Sequence, residues 1–219
     1  MSTLTLIRHG QAQTEARDEV SYDSLSDLGH QQARWLGDHL RESHEHFERV
    51  YCGTLNRHVQ TATSMGATQY APIMQDERLN ELHYFTLATL IEEQHGIAVP
   101  SNREDFAGHF PRLLGLWIDG KIEDAPETFD HFEARVRDGL ADIGAGKGPA
   151  LIVTSGGLIA MAMRQTLGLD VGAMALTGMS IMNTSVHRLH PIGAALAMTQ
   201  FNAVPHLDQP ARHFARTHL

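Results

Sequence analysis

The chain has a single cysteine among its 219 residues, Cys52, so no disulfide can form within it. That fits a reducing compartment, and the expected location is cytoplasmic. In the run Val50-Tyr51-Cys52-Gly53 the cysteine reads as a small buried hydrophobe rather than a reactive thiol. No stretch approaches the roughly 18 apolar residues of a membrane span, and the N-terminus shows no basic region followed by a long apolar run, so no membrane association is expected. Basic residues are in deficit: 17 Lys and Arg against 26 Asp and Glu leave a net charge of -9. With no basic block and no interleaving of basic and aromatic residues, nucleic acid is not an expected partner. An anionic ligand would have to be drawn in by a local cluster of arginines against the global field.

What is present is an ordinary globular composition, 42% hydrophobic and 20% charged, and one domain spanning residues 1–219 is expected from it. Strand and helix signals alternate along the chain. Leu4 to Ile7, Val50 to Cys52 and Pro72 to Met74 read as strands. Between them, Ser26 to Arg41 places Leu28, Ala33, Leu36 and Leu40 on one helical face, and a second helix is expected from Leu55 to Met65. Residues 83–145 then carry helical periodicity, including Arg103 to Trp117 and Thr128 to Ile143, and read as a helical insertion. Ala150 to Thr154 is a continuous apolar run between Gly148-Pro149 and Gly156-Gly157, the pattern of a strand buried on both faces. A helix over Leu158 to Leu167 follows, then a hairpin of Ser185 to Leu189 with Leu196 to Phe201, and an irregular tail after Pro205. Such alternation predicts an α/β three-layer sandwich, with a mostly parallel sheet, helices on both faces and the insertion over the site.

In open sheets of this type ligands gather outside the carboxyl ends of the strands. The first strand ends in Arg8-His9-Gly10. An imidazole there can accept a phosphoryl group covalently, a guanidinium offers a planar fork matched to phosphate oxygens, and Gly10 lets the backbone turn sharply and approach a ligand. The second strand leads to Arg57, and the buried strand leads to Ser155-Gly156-Gly157, whose hydroxyl and backbone N–H groups at a helix start suit an anion.

The segment Leu6-Ile7-Arg8-His9-Gly10-Gln11 resembles the signature of the histidine phosphatase superfamily, which includes phosphoglycerate mutases, bisphosphatases and acid phosphatases. The resemblance continues, in order, through Leu25-Ser26-Asp27-Leu28-Gly29 with Gln32-Ala33, Thr54-Leu55-Asn56-Arg57-His58-Val59-Gln60-Thr61-Ala62, Arg78-Leu79-Asn80-Glu81-Leu82 and Phe132-Glu133-Ala134-Arg135-Val136. It implies that His9 is the phosphorylated nucleophile, that Arg8 and Arg57 clamp the phosphoryl oxygens, and that Glu81 protonates the leaving oxygen. Gln11 is close enough in sequence to line the same pocket.

Two positions depart from the family pattern. Ser155 stands where members usually carry a second histidine. A neutral hydroxyl donor is weaker than a charged imidazolium, so Ser155→His is expected to raise turnover. Glu15 stands where many members carry an asparagine that helps hold phosphate, and a carboxylate there repels an anion unless it turns away. With the mutases' first-loop motif also missing, hydrolysis is favoured over phosphoglycerate mutation. A hydrolase nucleophile at Ser155 is disfavoured because Val153 occupies the first glycine position of the Gly-x-Ser-x-Gly elbow.

The fifteen histidines suggest no metal centre: His44, His46, His206, His213 and His218 lack ligand spacing and read as solvated. His58 and His83 lie near Arg57 and Glu81 in sequence and would partly replace the missing imidazole if either entered the site, but they read as ordinary loop or helix residues. Met161, Met163, Met174, Met179 and Met182 read as core fillers or a contact surface rather than a cofactor site. The resulting expectation is hydrolysis of a phosphate monoester through a phosphohistidine at His9, with Glu81 as acid, with Arg8, Gln11, Arg57, Ser155 and Gly156 binding substrate, and with no metal or organic cofactor. The alternative is a weak or inactive relative that binds phosphorylated ligands. A small phosphorylated metabolite or a phosphoprotein is the expected substrate, selected by the region Leu82 to Asp130 with Phe85, Phe106, Phe110 and Trp117.

Overall fold

A computed structural model describes residues 1–193 and 195–218. The apolar run at the centre of the sequence becomes the strand β4 (Ala150–Thr154), buried along its whole length, and it pairs in parallel with β1 (Leu4–Arg8), which is buried likewise. On the other side of β4 lies β2 (Arg49–Cys52), and beyond it β3 (Ile73–Gln75), both parallel. β5 (Val186–Ile192) runs antiparallel to β1, and β6 (Ala195–Ala203) antiparallel to β5. The six-stranded sheet therefore has the order β3-β2-β4-β1-β5-β6, with the expected hairpin strands at one edge.

Strand side chains alternate between faces, and the sheet sorts them into two cores. Leu4, Leu6, Ala150 and Ile152 pack on one face beneath α4 (Tyr84–His95), α5 (Arg103–Ile118), α6 (Phe129–Ala145), α7 (Gly156–Leu167) and α8 (Val171–Ser180). Ile7, Val50, Cys52, Leu151 and Val153 pack on the other beneath α2 (Asp27–Glu42) and α3 (Asn56–Ser64). Cys52 is the small buried hydrophobe that its context predicts. Each fully buried Leu, Ile or Val contributes about 1.5–3 kcal/mol against leaving it exposed, so two dry faces hold the strand ends in register. Ser26 and Thr128 begin α2 and α6 by accepting the N–H groups of Gly29 and His131.

Several elements differ from expectation. A four-residue helix α1 (Glu19–Tyr22) starts at Asp18, whose carboxylate accepts the Ser21 N–H. It is too short to show a periodicity. Helix α8 is unexpected too, since its two glycines and apolar surroundings hide an amphipathic stripe. Helix α7 starts at Gly156, two residues earlier than expected, which makes Ser155 its N-cap. The tail is not irregular: Pro205–Leu207 and Pro210–Ala215 form 3-10 turns, and Val204, Leu207 and Ala215 bury themselves against Leu28, Trp35 and Met182. His206 is accordingly buried rather than solvated, with Nε2 hydrogen-bonded to Thr184 Oγ1 at 2.8 Å. Trp117 belongs to the core, where its Nε1–H donates to Glu127 O and its ring packs on Phe129 and Phe132. Among the described residues no helix is long and apolar enough to cross a membrane.

Candidate active site

Three strands stop at one level of the sheet. Arg8 lies opposite Thr154 and Cys52 opposite Val153, so the residues following β1, β2 and β4 emerge along the same carboxyl edge. His9 extends β1 by one residue, its N–H donating to Thr154 O at 2.8 Å and its carbonyl accepting from Asn183 Nδ2 at 3.2 Å. The ring is 2% exposed, with Nδ1 2.7 Å from Gly10 O. A carbonyl only accepts, so Nδ1 carries the hydrogen and Nε2 keeps a lone pair. Burial above all, then the charges of Arg57 and Arg8 and the neighbouring His58, push the His9 pKa well below its ordinary value, against a smaller opposing effect of the Gly10 bond. His9 is a neutral imidazole in a fixed tautomer.

A cavity of about 400 Å³ has Arg8, Tyr22, Arg57, Glu81, Gly156 and Gly157 among its lining residues; His9 lies behind that lining, with its ring centre 6.3 Å from that of Tyr22. Both arginines are nearly buried, and the Nε of each has no acceptor among the described residues. Arg8 is oriented by Nη1 donating to Ile181 O. Arg57 is oriented by Asp23, whose Oδ1 accepts from Nη1 at 3.0 Å and from the Arg57 N–H at 3.2 Å, while Oδ2 accepts the Asn56 N–H at 2.9 Å. Asp23 thus caps α3, whose own N-cap residue, Leu55, has no side chain to do so. The Tyr22 ring lies 5.1 Å from the Arg57 guanidinium.

Glu81 sits at the start of α7. Its Oε2 accepts the Gly157 N–H at 2.9 Å and its Oε1 accepts the Leu82 N–H at 3.1 Å, so part of the anion-binding capacity of this helix end is taken by the protein's own carboxyl group. Any Cβ at position 157 would run into that carboxyl group and Leu82. The Glu81 loop is braced by Arg135, whose Nη1 donates to Arg78 O at 2.9 Å and Asn80 O at 2.7 Å and whose Nη2 pairs with Glu127.

The remaining expectations need correction. Ser155 does not line the cavity; it is fully buried, and its Oγ shares a 2.6 Å hydrogen bond with His58 Nε2. His58 is therefore no ordinary helix residue: it is wholly buried, its ring centre lies 5.7 Å from that of His9, and burial together with the Arg57 charge holds it neutral. His83, by contrast, is exposed at the start of α4. Gln11 does not reach the cavity, because its Oε1 accepts from Ser26 Oγ at 2.9 Å and its N–H donates to Gln32 Oε1. Gly10 serves a close backbone approach to Gly29 rather than to a ligand. Glu15 points to solvent, away from the cavity. Asp23 and Tyr22 are the neighbours that sequence reading passes over, whereas His58 is a candidate that it sets aside. The first two lie between the motifs that end at Gln11 and begin at Leu25, and His58 lies inside one, directly beside Arg57. Among the described residues there is no group of three or more His, Cys, Asp or Glu side chains placed to hold a metal ion.

Comparison with known proteins gives a consistent result. A family model described as the histidine phosphatase superfamily (branch 1) matches residues 4–204. A 2,3-bisphosphoglycerate-dependent phosphoglycerate mutase of Corynebacterium kroppenstedtii is 34% identical over 94 residues, 40% of this chain and 38% of the relative. The chain spans less than half the length of the curated relatives it matches. Among solved structures, a phosphoserine phosphatase mutant from Entamoeba histolytica in complex with phosphoserine superimposes with a TM-score of 0.69 at 17% identity, over 94% of this chain and 100% of that one. A phosphoglycerate mutase from Bacillus anthracis gives a TM-score of 0.69 at 19% identity, over 94% of each chain. These likenesses establish the fold.

Proposed function

The chain belongs to the histidine phosphatase superfamily, and from that premise we propose that it hydrolyses phosphate monoesters through a phosphohistidine formed at His9. The observation that carries this reading is the neutral His9 ring, its Nδ1–H fixed on Gly10 O, set beside two buried arginines that line one cavity. The Nε2 lone pair attacks phosphorus as the ester P–O bond breaks. The departing oxygen takes the bonding electrons and a proton from Glu81. Water then attacks phosphorus, gives its proton back to Glu81 and breaks the P–N bond, which releases inorganic phosphate and restores His9. Arg8 and Arg57 hold the equatorial oxygens through both steps, their unpartnered N–H groups supplying donor capacity where charge is redistributed. Asp23 keeps the Arg57 fork in place, and His58, tied to Ser155, is the second imidazole of the site.

The same features favour hydrolysis over transfer back to a second phosphate acceptor, since the other two arginines of the cavity, Arg17 and Arg103, are exposed at its rim and form no second buried floor. The substrate is a small phosphorylated metabolite or a phosphoprotein, and the buried single cysteine suits a reducing, cytoplasmic setting. A second reading, a binder of phosphorylated ligands without turnover, draws on Ser155 being turned toward His58 instead of into the cavity. Phosphate release from a panel of phosphomonoesters separates the two. Turnover that His9→Ala abolishes is expected, whereas no turnover by the parent chain supports the binder, and equal turnover by both chains defeats the mechanism.

A further inference from the structure

The floor of the cavity is charged, but the wall rising from it is aromatic. Tyr22 stands with its ring centre 6.3 Å from that of His9, and Phe85 lies 5.7 Å from Tyr22. Tyr84 follows at 5.6 Å from Phe85, then Phe106 at 5.1 Å from Tyr84, and Phe110 stacks on Phe106 at 5.4 Å with the planes 12° apart. All five rings line the cavity, and Met179 from α8 lines it with them. The Tyr84 hydroxyl is turned to His109 Nδ1, and the carboxylate of Glu19, the one acidic group on this wall, is occupied by the Thr86 N–H at 2.8 Å. Beyond the floor the cations are Arg17 and Arg103, both exposed at the rim, and the other polar lining residues are Gln13, which donates to Leu25 O, Asn102, which caps α5 at Asp105, and the exposed Thr14 and Ser101.

Ring faces and a thioether reward apolar contact and leave a hydroxyl without partners. A polyol or a small carboxylated body held on the floor by its phosphate would lose water along this wall and regain little. A flat apolar body would slide along it, and ligand sites of this size are commonly apolar with a few convergent polar groups. We infer that the cavity takes phosphate monoesters of aromatic alcohols, with the phosphoryl group between Arg8 and Arg57 and the aromatic body against Tyr22, Phe85 and Phe106. This rests on the reading of the floor as a phosphoryl site, and goes beyond it by naming the leaving group.

Binding can be separated from chemistry by titrating the His9→Ala variant in a calorimeter with benzyl phosphate, 3-phosphoglycerate and inorganic phosphate. Benzyl phosphate and 3-phosphoglycerate are both esters of alkyl alcohols, so leaving-group reactivity does not bias a parallel assay of phosphate release by the parent chain. Benzyl phosphate is expected to bind at least about tenfold more tightly than 3-phosphoglycerate, the scale set by burying one aromatic body. Adding Phe85→Ala or Phe106→Ala should erase most of that preference and leave the affinity for inorganic phosphate unchanged. Equal or tighter binding of 3-phosphoglycerate, a preference untouched by both Phe variants, or no binding of any of the three overturns the inference. A preference in binding without phosphate release upholds it and refutes the hydrolase reading instead. Phosphate release without a binding preference does the reverse.

Discussion

The floor and the wall of the cavity are built by opposite means. The floor consists of residues at the ends of β1 and β4 and the start of α3, fixed by hydrogen bonds to groups far away in sequence, such as His58 to Ser155 across 97 residues and Arg57 to Asp23 across 34. The wall consists of the half-buried rings of Tyr22, Tyr84, Phe85 and Phe106 and the buried ring of Phe110, on α1, α4 and α5, in contact with one another. A network of buried polar bonds tolerates little change, because each removed partner strands another buried group at a cost of about 1–3 kcal/mol. Rings in mutual contact can be exchanged for other apolar shapes at smaller cost. On the proposed function, chemistry falls to the strand ends and selectivity to α1 and to the helices that the chain inserts between β3 and β4.

The largest effect should come from disturbing the floor. His58→Ala removes the imidazole beside the nucleophile and is expected to lower kcat by about 100-fold, the scale of losing one stabilising donor. The structure reverses the expectation for Ser155→His. With Oγ already 2.6 Å from His58 Nε2, an added imidazole would overlap the His58 ring, so the single variant should lose activity. The exchange His58→Ala with Ser155→His moves the imidazole from α3 to the end of β4, and should recover at least about tenfold over His58→Ala alone. Steady-state kinetics of the three variants decide the matter. A gain from Ser155→His by itself would show that the floor is less tightly coupled than the hydrogen bonds indicate.

A smaller effect lies in stability, and it separates a buried polar group that faces the floor's Arg8 from the wall. His187 on β5, buried and facing the Arg8 charge, has its pKa pushed down to about 3 by burial first and by Arg8 second. In the unfolded chain it titrates near 6.5. Below that pH the unfolded state binds a proton that the folded state refuses, so stability falls as pH drops from about 6.5 toward 3 and is constant above. For one such group the slope is about 1.4 kcal/mol per pH unit. Urea titrations of the parent and His187→Gln at several pH values should show a slope shallower by up to that amount in the variant. Phe106→Ala, on the wall, should shift the curve without changing its slope.

Much of the floor was legible in the sequence because its chemistry is carried by residue types at strand ends. Arg8, His9, Arg57 and Glu81 announce themselves beside apolar runs, and the parallel sheet that brings their strands together follows from alternation. What stayed hidden depends on contacts that chain distance conceals. His58 sits next to Arg57, yet only the packing of α3 against the end of β4 turns it toward Ser155. Asp23 acts as the cap of a helix that begins 33 residues later. Gln11 was placed by proximity in sequence, but the bond to Ser26 draws it away. On the wall, Phe85, Phe106 and Phe110 were identified with the selecting region, while Trp117 was not separable from them by composition. It lies on the same stripe of α5, two turns beyond Phe110 and three beyond Phe106, where its ring packs on Phe129 and Phe132 and no longer lines the cavity. The tail turns were missed because two prolines suggest irregular chain, whereas here they start 3-10 turns that bury Leu207 and Ala215.

The account stands or falls on the atom that takes the phosphoryl group. Rapid quench of the parent chain with a phosphomonoester that it turns over, followed by nitrogen-15 and phosphorus-31 NMR of the trapped protein, locates the N–P bond directly. Phosphorus on Nε2 of His9, with Nδ1 still protonated, is the expected result. Attachment at Nδ1, or on any residue other than His9, would contradict it.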